Sequence, residues 1–123
     1  MNDLDNPIFE LAELAQRSTL PVEVSFASSR LPEELEAAVY FICSEALANA
    51  TKHASATKVA IDVAARDGEL TLRVLDDGRG GADLARGSGL RGLVDRVEAL
   101  RGELRIESSP GGGTVVAARF PLR

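Results

Sequence analysis

A single cysteine, a single histidine, a single methionine and no tryptophan form a sparse stock of reactive and bulky side chains for a chain of 123 residues. Cys43 cannot close an internal disulfide, and its place in an apolar helical pattern predicts a buried, inert thiol. Aromatic residues are only 4% of the chain, so platforms for stacking nucleic-acid bases are poorly supplied. Positive charge is also short. Lys and Arg number 14 against 19 Asp and Glu, leaving a net charge of −5 and a pI near 4.9. Duplex binding needs a basic face, so no nucleic-acid partner is expected. Apolar runs extend only a few residues, against about 18 for a membrane span, and the segment Met1 to Asp5 is acidic where a secretory signal is basic. A cytoplasmic domain without direct membrane contact is the expectation.

What is present is the composition of a folded domain. The chain is 45% hydrophobic and 27% charged, with the charges spread along it. Its length suits one layered core that buries roughly two-thirds of the chain's surface. Ile8, Leu11, Ala12, Leu14 and Ala15 recur at helical spacing from Pro7 to Arg17, and Val22 to Phe26 alternates as a short strand. Pro32 with Glu33, Glu34 and Glu36 marks the start of a long helix running to about Ala54. Leu35, Val39, Ile42, Ala46 and Leu47 form its apolar side, with Cys43 and Ala50 at close-packed positions. Lys58 to Ala64 and Glu69 to Leu75 are strand-like runs joined by a tight turn at Arg66, Asp67 and Gly68.

A polar, glycine-rich loop of about a dozen residues follows, a length that is usually functional inside a small domain. Leu90, Leu93, Val94, Val97 and Leu100 then restore a helical period, with Gly102 placed to stop it. Two further strands, Glu103 to Glu107 and Thr114 to Phe120, flank a Ser-Pro-Gly turn. Three helices and about five strands with adjacent hairpins imply an α+β fold. It is a two-layer α/β sandwich, with the helices on one face of a mixed, mainly antiparallel sheet.

Four segments carry possible chemistry. Glu45, Asn49, Lys52 and His53 share one stripe of the long helix, so a carboxylate, a carboxamide, an ammonium and an imidazole can face a common pocket. Taken singly, Glu45 and Lys52 also suit a solvated helix face, and His53 suits a helix C-terminus. Asn49 is the awkward member, a weak helix former amid apolar neighbours. Asp76, Asp77, Gly78, Arg79 and Gly80 follow a strand directly, an arrangement able to accept hydrogen bonds from an amino group while a flat ring lies against the main chain, or simply to turn. Gly87, Ser88, Gly89 and Leu90 open a helix whose amides suit phosphate, with Arg86 and Arg91 nearby. The Gly87 to Gly92 spacing also matches a dinucleotide fingerprint, but the preceding strand ends about a dozen residues too early. Pro110 to Gly113 before Thr114 is a glycine turn entering a strand, which alone reads as a plain hairpin.

In this order, the four segments strongly resemble the ATP-binding catalytic domain of sensor histidine kinases, within the wider family shared with DNA gyrase, the Hsp90 chaperone and the mismatch-repair protein MutL. The compact ending Lys52, His53, Ala54 and the short lid are similar to the subfamily that signals to helix-turn-helix response regulators. The resemblance makes residues 18–123 the catalytic domain and residues 1–17 a helical lead-in. It implies that Asn49 is a magnesium ligand and that Glu45, one turn earlier, polarises the attacking group. Lys52 and His53 then lie near the phosphates. Asp76 accepts from the adenine amino group, Gly78 and Gly80 make room for the base, and Thr114 supports it. Gly87, Ser88, Gly89 and Leu90 match the end of the lid.

The implied cofactors are ATP and Mg, and the implied reaction is γ-phosphoryl transfer to a histidine. The implied partners are a phosphoacceptor dimerisation domain of the parent kinase and, downstream, a response regulator. His53, the only histidine, matches the Asn motif and not the phosphoacceptor, so the chain reads as one part of a longer kinase. The rival readings are an anti-sigma-factor type of serine kinase and a nucleotide-binding interaction module without catalysis.

Overall fold

The computed structural model describes residues 7–27, 31–52, 56–78, 88–108 and 111–122. Helix α1 (Pro7–Arg17) leads to strand β1 (Val22–Ala27), and the long helix α2 (Glu33–Lys52) to the hairpin β2 (Val59–Arg66) and β3 (Glu69–Asp76). Helix α3 (Ser88–Ala99) precedes a second hairpin, β4 (Glu103–Ser108) and β5 (Thr114–Pro121).

Helix α2 starts where its sequence permits. The carbonyl of Pro32 accepts from the amides of Leu35 and Glu36, and the Glu36 carboxylate reaches back to the Leu31 amide at 3.3 Å. Proline just before the ladder gives up no helical donor, and the three acidic residues of the first turn face the positive end of the helix dipole. Leu35, Ala38, Val39, Ile42, Cys43, Ala46, Leu47 and Ala50 recur at three- and four-residue steps, and all are buried. Burial pushes the Cys43 thiol up to about 12, so it stays protonated and unreactive as expected.

The sheet order is β1-β2-β3-β5-β4, with β1 and β2 parallel and every other pair antiparallel. The parallel pair follows from connectivity, because α2 carries the chain back along the sheet before β2 begins. Strand β4 likewise runs in the direction of β3, and β5 folds back between them. The inward residues Ile61, Val63, Leu70, Leu72, Val74, Val116, Ala118 and Phe120 meet Leu11, the α2 stripe, Leu93 and Val97 in one cluster. On this helix side the strand burial alternates as a one-faced sheet requires.

Two polar contacts lock the helices together at their margins. Arg17 donates to the Tyr40 hydroxyl at 2.9 Å, joining α1 to α2, and the Arg96 guanidinium lies 3.9 Å from the centre of the Phe41 ring, joining α3 to α2.

Gly102 does stop α3, but for a reason its sequence position does not announce. The left-handed residue is Arg101, at φ 62°, while the amides of Arg101 and Gly102 close back on the carbonyls of Glu98 and Val97. Glycine is needed at 102 for space. A Cβ there would lie 2.6 Å from the Arg119 carbonyl oxygen, 2.7 Å from the Phe120 ring and 2.9 Å from Val97. Gly102→Ala is therefore expected to cost about 1–3 kcal/mol by overpacking, read as a lower urea midpoint at unchanged slope.

Candidate functional site

The strand register brings one end of the sheet to a row of polar side chains on the helix side. Asp76, the last residue of β3, is opposite Thr114, the first of β5, and Thr114 is opposite Ser108, the last of β4. On the other side Asp76 pairs with Val59, where β2 begins. Asp76 shares the face of Leu70, Leu72 and Val74, so its half-buried carboxylate points toward the helical layer.

One oxygen of that carboxylate, Oδ1, accepts from the Gly78 amide at 2.8 Å, and the other accepts no hydrogen bond from the described residues. The Ser108 and Thr114 hydroxyl oxygens are 3.0 Å apart, and Ser108 also approaches the Gly113 carbonyl at 3.4 Å. Gly113 is at φ +78°, and a Cβ on it would come within 2.3 Å of the Asp76 carbonyl oxygen. The glycine turn before Thr114 is thus what lets the two strand ends close around Asp76.

The chain leaving the C-terminal end of helix α2 runs to the same end of the sheet. The last residue of α2, Lys52, is five positions before Thr57, a distance the chain spans in at most about 18 Å. Thr57 is tied to the β3 end: its amide donates to Asp77 Oδ1 at 2.7 Å, its hydroxyl to Asp77 Oδ2, and the Lys58 amide to Oδ1 at 3.1 Å. Glu45 and Asn49, one turn apart, are half-buried on α2, while the residues between them on the core side are fully packed.

Ser88, Gly89 and Leu90 form the first turn of α3, as the glycine-rich pattern predicts. They are the part of that helix farthest from its closing turn at Gly102. His53, Gly80 and Gly87 lie outside the described residues, as do the side chains of Lys52 and of the first turn of α3. The Asp77 tether and the Ser108 hydroxyl were not singled out from sequence. The partners of Asp77 are 19 and 20 positions away, and no local pattern marks such a pair.

A surface cavity of about 430 Å³ also touches Asp76, but Glu23, Ala60 and Leu75 in its lining belong to the opposite face of the sheet. Val22, Val59 and Asp76 in the same lining belong to the helix-side face, so the cavity wraps the end of β1, β2 and β3.

The three hydrogen bonds to Asp77 hold its carboxyl at about 2, below the ordinary 3.8, because each donor favours the charged form. A depressed carboxyl contributes stability that is present above pH 3.8 and is lost as pH falls through about 2. Asp77→Asn is expected to flatten this acid limb, measured by urea unfolding at steps between pH 5 and about 2.

A family model described as histidine kinase-, DNA gyrase B- and HSP90-like ATPase matches residues 34–123. The chain belongs to this ATPase family. Among its relatives is the signal transduction histidine-protein kinase/phosphatase DegS of Brevibacillus brevis, 34% identical over 96 residues, which are 76% of this chain and 25% of DegS. The nitrate/nitrite sensor protein NarX of Escherichia coli K12 is 39% identical over 82 residues, 64% of this chain and 14% of NarX. The chain thus spans a quarter or less of these relatives.

Among solved structures, the histidine kinase domain of the Erythrobacter litoralis EL346 blue-light activated histidine kinase superposes with a TM-score of 0.76 at 28% identity, covering 94% of this chain and 58% of that one. The ATP binding domain of PrrB from Mycobacterium tuberculosis gives 0.70 at 26% identity, covering 99% and 96%. This member of the ATPase family is an ATP-binding catalytic domain of the histidine kinase type, with the three-helix, five-stranded open sandwich expected from its sequence. Among the described residues no helix is long and apolar enough to cross a membrane.

Proposed function

We propose that this domain binds Mg-ATP between α2 and the Asp76 end of the sheet. It transfers the γ-phosphoryl group to a histidine on the dimerisation domain of a longer cytoplasmic or membrane-anchored kinase. The observation that carries the reading is the Asp76 carboxylate, half-buried on the helix side, with Oδ1 held by the Gly78 amide and Oδ2 left to accept from a ligand. An adenine amino group donates to such an oxygen, whereas guanine presents an acceptor there. Thr114 supports the base beside Asp76, and Gly78 and Gly80 leave it room.

The oxygen chemistry of α2 fits magnesium held mainly by phosphate. Among the described residues no group of three acidic, His or Cys side chains surrounds a metal site, and magnesium in phosphate complexes commonly takes one or two protein oxygens and several waters. Asn49 supplies the protein oxygen. When bound, the metal neutralises charge on the triphosphate. Lys52 and His53 stand near the phosphates, and the amides of Gly87, Ser88, Gly89 and Leu90 approach them at the start of α3. Glu45, one turn before Asn49, accepts a hydrogen bond from the N–H of the incoming imidazole and so polarises the ring, whose other, unprotonated nitrogen takes the γ-phosphoryl group as ADP leaves. The phosphorylated histidine then serves a helix-turn-helix response regulator, in keeping with the kinase and sensor relatives.

Calorimetry with ATP and GTP, each with and without magnesium, tests the site. ATP is expected to bind more tightly than GTP, and magnesium to strengthen ATP binding. Asn49→Ala should abolish most of that magnesium gain in a domain that remains folded. Equal affinity for the two nucleotides, or an undiminished metal effect in the variant, contradicts the assignment.

A further inference from the structure

Asp77 adjoins the adenine-reading carboxylate in sequence, yet its side chain turns to a different part of the molecule. It is exposed, outside the packed core. Its two oxygens instead collect three donors from the segment that leads out of α2 into β2: the Thr57 amide, the Thr57 hydroxyl and the Lys58 amide. Meanwhile the neighbouring Asp76 is pinned by Gly78 and by its ladder partners Val59 and Thr114. Residues 76 and 77 therefore form a rigid corner with one arm in the sheet and the other on the approach from α2.

On the nucleotide-site reading above, the two arms bear on the two halves of one ligand. Asp76 belongs to the base-reading end of the site, whereas Glu45, Asn49 and Lys52 belong to the helix that ends five residues before Thr57. On this approach Ala56 is buried in the core, the ladder with β3 begins only at Val59, and the Val59 amide also donates to the Pro21 carbonyl at 3.0 Å, so among the described residues Asp77 supplies the side-chain hydrogen bonds to Thr57 and Lys58. Charge-assisted hydrogen bonds donated by consecutive amides to a carboxylate are among the stronger polar contacts a surface segment can make. The depressed Asp77 carboxyl agrees with a tether that is fully charged near neutral pH.

We infer that Asp77 is a positioning residue, which through Thr57 and Lys58 sets the C-terminal end of α2 relative to Asp76 so that base and triphosphate sites are held in register before ATP arrives. The inference rests on the nucleotide-site reading above. A ligand that spans both halves benefits from this pre-ordering, and a ligand that touches only the Asp76 half does not.

The test compares ATP with adenosine, which lacks the phosphates, in wild type, Asp77→Ala, Asp77→Asn, Thr57→Val and Thr57→Ser. Melting curves establish that each variant is folded at the assay temperature. Asp77→Ala is expected to weaken Mg-ATP binding by about 5-fold or more, the scale of one ordering cost transferred to the ligand, with adenosine affinity changed by less than about 2-fold. Thr57→Val, which keeps both amide donors, should show a smaller loss of the same kind and serves if Asp77→Ala does not fold. Asp77→Asn, which retains an acceptor for the amides, and Thr57→Ser, which retains the hydroxyl, should recover most of the ATP affinity. A purely structural role predicts a lower melting temperature with both affinities unchanged in the folded variants, and that result overturns the inference. Parallel losses for ATP and adenosine overturn it too, because the effect would then lie in the base site alone. Wild type that fails to prefer ATP over GTP removes the nucleotide-site reading itself, a failure separable from that of the tether.

Discussion

Glu45→Gln is expected to leave Mg-ATP binding intact while lowering phosphorylation of an acceptor histidine by about 10²-fold or more, the range of a positioned acid–base group. Glutamine preserves the length and the helix propensity of the residue, so α2 should form as before. Glu45 is half-buried on α2, outside the packed stripe of Ile42, Cys43, Ala46 and Leu47, and no core contact depends on its charge. Removing a negative charge beside a triphosphate should, if anything, strengthen nucleotide binding slightly. The assay must supply a helical hairpin bearing the phosphoacceptor histidine, in the same chain or in trans. Nucleotide affinity is then titrated on the same preparation. A variant that binds ATP and transfers phosphate at the wild-type rate would make Glu45 a structural helix residue.

Asp76→Asn should act on the opposite step. The carboxamide still offers one oxygen, and the Gly78 amide, now 2.8 Å from Oδ1, has first claim on it. The remaining position then carries an NH2 group facing the adenine amino group, leaving two donors without an acceptor. The expected loss is roughly 1–3 kcal/mol, about 5- to 150-fold in ATP affinity. Discrimination against GTP should shrink in parallel, because the donor now suits the guanine oxygen. Calorimetric titration of both nucleotides into both proteins decides the matter. An ATP-to-GTP ratio that does not move would show that another group reads the base. Taken with the Glu45 variant, the experiment separates binding from chemistry, since one substitution spares what the other removes.

Both substitutions leave the hydrophobic core untouched, and a third substitution shows why that matters. Gly102→Ala lowers stability without approaching the nucleotide, so its folded fraction should bind ATP as wild type does. A loss of binding that tracks unfolding is thereby distinguishable from a loss at the site.

Helices and strands were legible wherever the hydrophobic period was sustained. The three- and four-residue steps from Leu35 to Ala50 admit only a helix with one buried stripe, and the alternation in Val59–Arg66 and Glu69–Asp76 admits only a one-faced hairpin. The turn at Asp67 and Gly68 was equally plain, and both residues take positive φ. Local chemistry of this kind is written in neighbouring residues, so periodicity and turn composition suffice to find it. The Asp76 to Gly78 pattern and the glycines before Thr114 could also be marked as a possible site, because close approach of a flat ligand needs those residue types.

Three matters were decided only by the folded chain. Strand order placed β5 between β3 and β4, and so set Thr114 beside Asp76 and Ser108 beside Thr114; nothing in any single strand specifies its neighbour, since pairing is chosen by which faces the whole sheet must bury. The need for glycine at 102 arose from Phe120 and the Arg119 carbonyl, 18 and 17 positions later, while the left-handed φ fell to Arg101. The tether from Asp77 to Thr57 and Lys58 joins segments whose proximity exists only once β2 lies against β3. Periodicity, capping and turn residues act over a few positions and are readable along the chain, whereas pairing, close packing and long-range hydrogen bonds depend on which distant atoms the collapsed core brings into contact.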